Sequence, residues 1–218
     1  MISRNRHIAK ARIKAPGAGA STFELTKIDV AEAEICTAVR LFFDDCHPVP
    51  IYMLASAARE ILTTIATKAG IESVLHELAD AEGAALKDAI QSSHQWANFF
   101  KHADRDPTDR IQFSETEVDS VLYTACNDFQ RVTGGMPIEA QVFCFWIRAL
   151  AYERVSEAPL REQEDIKWAI SQFPGIRRVG RKDQKRLGLD VLSRVKRDPE
   201  LQLPHKREVI ISNTPKST

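Results

Sequence analysis

The residues best suited to chemistry in this sequence lie in the segment 92–107, which reads SSHQWANFFKHADRDP. Helical spacing divides its side chains between an apolar face and a polar face on the opposite side. The polar face holds histidines, amides and bases but no carboxylate, and it comprises Gln91, His94, Gln95, Asn98, Lys101, His102 and, if the helix continues, Arg105.

Neutral and cationic hydrogen-bond donors of this kind suit an anion such as a phosphate or a carboxylate. An imidazole near its ordinary pKa also exchanges protons at neutral pH, which makes His102 a candidate acid–base group. We therefore predict catalytic roles for Asn98 and His102 and ligand binding by His94, Lys101 and Arg105. The alternative is an ordinary solvated helix face whose histidines lie near the helix end.

A resemblance supports the first interpretation. The run 98–106, NFFKHADRD, resembles a segment of a group of bacterial helical proteins to which no activity is assigned. Asn98 and His102 also resemble the second half of the HEPN motif, an arginine and a polar residue followed by a histidine. This resemblance implies an all-helical, commonly dimeric protein, and many HEPN proteins are metal-independent ribonucleases. Because Ala97 stands where the motif has arginine, a non-cleaving relative is as consistent as a nuclease.

Metal ligation is a second possibility for the same segment. His94 and His102 lie eight residues apart, near two helical turns, and Asp104 follows. The run 44–47, Asp-Asp-Cys-His, is another set of candidate ligands. The sequence nevertheless lacks an HExxH motif, a Cys-x-x-Cys pair and an EF-hand loop, and it also lacks phosphate-binding glycine loops. We predict no metal site and no cofactor.

Charge is distributed unevenly along the chain although its net value is zero. Residues 1–28 contain six Lys/Arg and one acid, residues 176–207 contain eleven Lys/Arg and four acids, and residues 29–175 contain twelve and twenty-four. Such basic ends either contact nucleic acid or an acidic partner or rest against the acidic body. The candidate contact residues are Arg177, Arg178, Arg181, Lys182, Lys185 and Arg186.

Helical periodicity dominates the sequence, and no internal run alternates as a strand does. We predict an all-α fold, a single bundle of five to six core helices with a basic C-terminal helical appendage. Asp29 with Glu32, and Ser114 with Glu117, match capping boxes. The predicted divisions are a flexible basic arm over 1–25, a bundle domain over 26–175, and an appendage and tail over 176–218. The predicted helices span 29–46, 50–70, 71–79, 84–102, 114–133, 137–152, 160–172 and 183–197.

The apolar helices predict the environment of several side chains. We expect Leu54, Ile61, Ile65, Val121, Phe129, Phe143 and Trp146 to be mostly buried. The second helix is apolar on most sides and carries charge only at Arg59, Glu60 and Lys68. The apolar content of 137–152 also predicts a homodimer, although a bundle core would absorb the same residues. No apolar stretch is long enough to span a bilayer, so we expect a cytoplasmic protein with reduced cysteines and no membrane partner.

Together these patterns favour a helical binding protein of HEPN-like kind that associates with an anion or a nucleic acid without catalysis. The alternative is a hydrolytic enzyme, either a metal-independent ribonuclease or a metal-dependent hydrolase, that uses the helix carrying His94 and His102. The sequence leaves open whether the protein is an enzyme.

Overall fold

The structure is a computed structural model that describes residues 21–83, 94–102, 104 and 107–198. Over these residues it contains α-helices and short 3₁₀ turns but no strand, which confirms the all-α prediction. The helices are α1 (Lys27–Phe43), α2 (Pro48–Ala69), α3 (Val74–Glu82), α4 (Gln95–Lys101), α5 (Glu115–Thr133), α6 (Ile138–Ala151), α7 (Gln163–Gln172) and α8 (Arg181–Arg197).

Local interactions define the start of α1 and the turn between α1 and α2. Thr26 precedes α1 as its N-cap. The Thr26 hydroxyl accepts a hydrogen bond from the Asp29 amide, and the Asp29 carboxylate accepts one from the Thr26 amide. The capping box therefore lies three residues earlier than the predicted Asp29–Glu32 box. After α1, Asp45 adopts a left-handed conformation with φ of 55°. His47 then caps α2, and Pro48 occupies its first turn.

The hydrophobic core lies between α1, α2, α5 and α6, which pack directly on one another. Phe42, Phe43, Phe143 and Trp146 form an aromatic cluster at one end, with ring centroids 5.2–6.2 Å apart. The side chains predicted to be mostly buried fall into two groups. Val121, Phe129, Phe143 and Trp146 are buried, whereas Leu54, Ile61 and Ile65 are partly buried and pack against the core.

The basic C-terminal helix α8 packs against α1 and α6. Its buried Val191, Leu192 and Val195 belong to the same core as the other helices. Gly188 permits the close approach, because a Cβ atom at that position would lie 2.0 Å from the Phe43 ring. The segment predicted as an appendage therefore contributes side chains to the bundle core.

Helix α4 lies against α2 through aromatic contacts. Phe100 meets Tyr52 and Phe113 edge to face, with ring centroids 6.0 and 5.2 Å away, and Trp96 meets Phe113 at 5.5 Å. Of the helix predicted over 84–102, the part before residue 94 lies outside the described residues, as does most of the predicted arm over 1–25. No helix in the described ranges has both the length and the apolar composition needed to cross a bilayer.

Candidate functional site

Helix α4 turns its apolar side toward α2 and its polar side away from it. Ala97 is 1% exposed, while Asn98 and Lys101 are exposed and His94 and His102 are partly exposed. We call His94, Asn98, Lys101 and His102 together the α4 outer face. Four of the five predicted site residues thus share one surface, and the fifth, Arg105, lies outside the described residues.

A buried arginine of α2 acts electrostatically on one end of this face. Arg59 projects from α2, is 4% exposed, and is close enough for its charge to act on the imidazole of His94. Burial, and then the positive charges of Arg59 and Lys101, lower the pKa of His94, against an opposing effect of Glu60. Of the three charged side chains that act on His94, two are therefore positive.

The surroundings of Arg59 tie it to the core. Tyr52 and Asp128 lie within electrostatic range of its guanidinium. The Asp128 carboxylate accepts from the Val74 amide at 2.7 Å and from the Thr63 hydroxyl at 3.5 Å. Burial raises the pKa of Asp128. Sequence reasoning missed Arg59 as part of the site, although a lone arginine within an apolar helix was the available signal.

His102 lies near the carboxylate of Asp104 but forms no hydrogen bond with it. Its Nδ1 atom lies 3.8 Å from Oδ1 of Asp104, which is longer than a hydrogen bond. The two side chains are 43% and 77% exposed, so water competes with the contact. The imidazole is accessible for proton exchange, yet the Asp104 contact does not fix its orientation in the way a catalytic histidine requires.

The second set of candidate metal ligands is engaged elsewhere. Asp45 accepts a hydrogen bond from Lys185 at 2.8 Å, and Nδ1 of His47 accepts from the Val49 amide at 3.3 Å. Within the described ranges, no three or more His, Cys, Asp or Glu side chains are grouped so that they would hold a metal ion.

The cysteines do not supply a nucleophile at the site. Cys126 and Cys144 are buried, and all four cysteines are free thiols. Burial, and then the charge of nearby Glu139, raise the pKa of Cys36 to about 12. Burial also raises the pKa of Cys126. Thiols with raised pKa values carry little thiolate at neutral pH and are poor nucleophiles.

The predicted nucleic-acid contact residues divide into two groups. Arg181 pairs with Glu115 and Asp119 and stacks over the rings of Phe42 and Trp146. Lys185 is buried and likewise pairs with acidic side chains of the bundle.

The remaining four basic residues stay at the surface. Arg177 donates to the carbonyls of Leu150 and Ala151, and Arg186 pairs with Asp183. Arg178 and Lys182 are exposed and form no ion pair within the described part of the chain. These surface residues are the ones able to meet a phosphate backbone.

No protein-family model matches the chain, and no curated protein and no solved structure is significantly similar to it.

Proposed function

We propose that this chain is a helical binding protein that holds an anion on the α4 outer face and catalyses no reaction there. The observation that carries the proposal is the position of Arg59. Its buried charge acts on His94, which shares the α4 outer face with the exposed donors Asn98 and Lys101. A buried cation attracts an anion more strongly than a solvated one, because less water screens it. The exposed donors then supply the direct hydrogen bonds.

The absence of catalysis is inferred from the orientation of α4. The hypothesis of a HEPN-like ribonuclease requires an arginine at the position of Ala97. That position faces the core and is 1% exposed. Arg59 supplies positive charge from a neighbouring helix, but it is itself almost fully buried. His102 is exposed and its contact with Asp104 is long. These features support binding better than proton transfer.

The finer parts of the proposal concern partners and location. A nucleic acid would supply the anion as its phosphate backbone, with the exposed Arg178 and Lys182 as a further contact. A homodimer and a cytoplasmic location also remain proposals. The dimer was inferred from the apolar residues 137–152, and the packing of this chain alone buries most of them, including Phe143, Phe145 and Trp146.

The proposal is tested by titrating the protein with inorganic sulfate under isothermal calorimetry. We expect saturable binding that weakens about threefold to tenfold in Lys101→Ala and in His94→Gln, since each change removes one hydrogen bond to a charged ligand. Lys167→Ala removes an exposed lysine from α7 and serves as the matched control. Equal affinity in all four proteins would refute an anion site on this face.

The enzyme alternative is separated from binding by incubating the protein with single-stranded RNA, first with a chelator and then with zinc or manganese. The binding proposal expects intact RNA under both conditions. Cleavage in chelator that His102→Ala abolishes would establish the ribonuclease instead. Cleavage that appears only with metal would establish the metal-dependent hydrolase.

A further inference from the structure

A concave site lies at the C-terminal end of α6 and is lined by none of the residues of the α4 outer face. The end of α6, the body of α7 and the turn that precedes α8 enclose an open cavity of about 420 Å³. This volume falls within the range of small-molecule sites, about 300–1,000 Å³. We call it the α6–α7 cavity.

The floor of the α6–α7 cavity is apolar and rigid. Ala149, Phe173 and Ile176 line it and are each at most 3% exposed, so their positions are fixed by the core. Ile170 adds a partly buried apolar side chain. Together with the partly exposed Tyr152, Ile170 offers the apolar surface that the hydrocarbon part of a ligand would contact, with release of water on binding.

The rim of the cavity is polar and carries two consecutive arginines, Arg177 and Arg178. The turn that holds Arg177 and Arg178 is fixed from both sides. The Gln184 amide donates to the Ile176 carbonyl at 3.1 Å, and Nη1 of Arg177 donates to the carbonyls of Leu150 and Ala151 at 3.1 and 3.3 Å. The turn is therefore held in place before any ligand arrives.

Several donors on this rim form no hydrogen bond with the residues that the structure describes. Only Nη1 of Arg177 donates a hydrogen bond to the described part of the chain, and the Arg178 guanidinium forms neither a hydrogen bond nor an ion pair there. The Tyr152 side chain also lines the cavity, and its hydroxyl has no hydrogen-bond partner among the described residues. Guanidinium groups bind planar oxyanions through paired N–H donors.

The rim also restricts the charge of the ligand. Glu153 lines the same cavity as the two arginines, so the three ionised side chains carry a net charge of +1. A monoanion neutralises this net charge of +1, whereas a dianion leaves an uncompensated negative charge in the same cavity as the Glu153 carboxylate. A carboxylate meets this condition better than a phosphate monoester.

We propose that the α6–α7 cavity binds a small organic carboxylate with an apolar body, the size of an aromatic amino acid or its deaminated analogue. The carboxylate pairs with Arg178 and the remaining N–H groups of Arg177, and the apolar body lies against the partly exposed Ile170 and Tyr152. This site is separate from the α4 outer face and does not depend on the function proposed for that face.

The experiment uses three probes that share a phenyl ring: 3-phenylpropionate, L-phenylalanine and phenethylamine. Saturation-transfer NMR detects binding, and amide shifts in a ¹⁵N-labelled protein locate it. We expect both carboxylates to bind and to shift the amides of Tyr152, Arg177 and Arg178, while phenethylamine binds at least about fivefold more weakly. Amine binding equal to carboxylate binding, or shifts confined to other helices, would overturn the proposal.

Arg178→Ala provides the mutational arm. Arg178 is exposed and has no partner in the described residues, so its loss leaves the fold intact. We expect this change to weaken 3-phenylpropionate binding at least about fivefold. Arg186→Ala, which removes the same charge from α8, and Lys68→Ala, which removes an exposed lysine from α2, are the controls and should retain the original affinity. Equal weakening by all three variants would show a nonspecific charge effect and refute the site.

Discussion

Lys185 and Asp45, 140 residues apart in sequence, form a salt bridge of 2.8 Å that joins α8 to the left-handed turn after α1. The lysine side chain is 3% exposed, and its Nζ atom also lies 3.2 Å from Glu115 and above the ring of Phe42. Asp45 is the one non-glycine residue with a positive φ in the described part of the chain. The contact therefore links an unusual backbone conformation to the attachment of the last helix.

Replacing Lys185 should destabilise the fold. We expect Lys185→Met to lower the free energy of unfolding by about 1–3 kcal/mol, because it removes hydrogen bonds between charged groups. The loss stays below that of a fully buried pair, since Asp45 and Glu115 are 40% and 44% exposed and remain hydrated. Urea denaturation followed by circular dichroism measures the change. Lys182→Met, at an exposed position of the same helix, should change the stability by less than about 0.5 kcal/mol.

The same salt bridge predicts a dependence of stability on pH. The hydrogen bond from Lys185 lowers the pKa of Asp45. A carboxyl group with a depressed pKa stabilises the folded state above its unfolded pKa of about 3.9. This contribution is lost as the pH falls from there through the folded pKa.

The comparison is between the wild type and Asp45→Asn, since asparagine also tolerates the left-handed conformation. We expect the wild type to be the more stable protein at pH 6, and the difference to shrink when denaturation is repeated below about pH 4. A difference that stays constant with pH would show that the Asp45 charge does not contribute.

The close packing of α8 on α1 predicts a steric effect at Gly188. Gly188→Ala places a methyl group 2.0 Å from the Phe43 ring, so the ring or the helix must move. Overpacking of this kind costs about 1–3 kcal/mol in unfolding free energy. Gly180→Ala is the matched control, because a Cβ atom there meets nothing within 4 Å. Thermal unfolding of the two variants should separate them, and equal melting temperatures would contradict the contact.

The α4 outer face predicts a pH dependence of anion binding. Because burial and the Arg59 charge lower the pKa of His94, the imidazole is mostly neutral at pH 7 in the free protein. A bound sulfate stabilises the protonated form, so the affinity for sulfate should rise as the pH falls from about 7.5 to about 5.5. His94→Gln should flatten this profile, whereas Lys101→Ala should weaken binding but keep the slope. A wild-type profile without slope would remove His94 from the site.

The sequence predicted the helices well because their signals are local. Gly134 and Pro137 separate α5 from α6, and His47 and Pro48 separate α1 from α2, as expected from their caps and turns. The apolar side of α4 followed from its periodicity, and Ala97 is indeed buried.

The contacts between distant segments were not predictable in the same way. The basic composition of α8 indicated a surface helix, yet Lys185 is buried, and its partners Asp45 and Glu115 come from the turn after α1 and from α5. Arg59 was noted only as a charge in an apolar helix, since nothing local places it beside His94. Periodicity reports which face of a helix is apolar but not which helix covers it.

The position of α8 within the chain has a consequence for folding during synthesis. Phe43 packs closely against Gly188 of α8, and the Trp146 indole donates to the Gln184 carbonyl of that helix. Among the described helices α8 is made last, so these aromatic rings leave the ribosome well before the segment that covers them. The nascent chain therefore displays an uncovered aromatic surface until α8 has emerged from the ribosome and docked on α1 and α6.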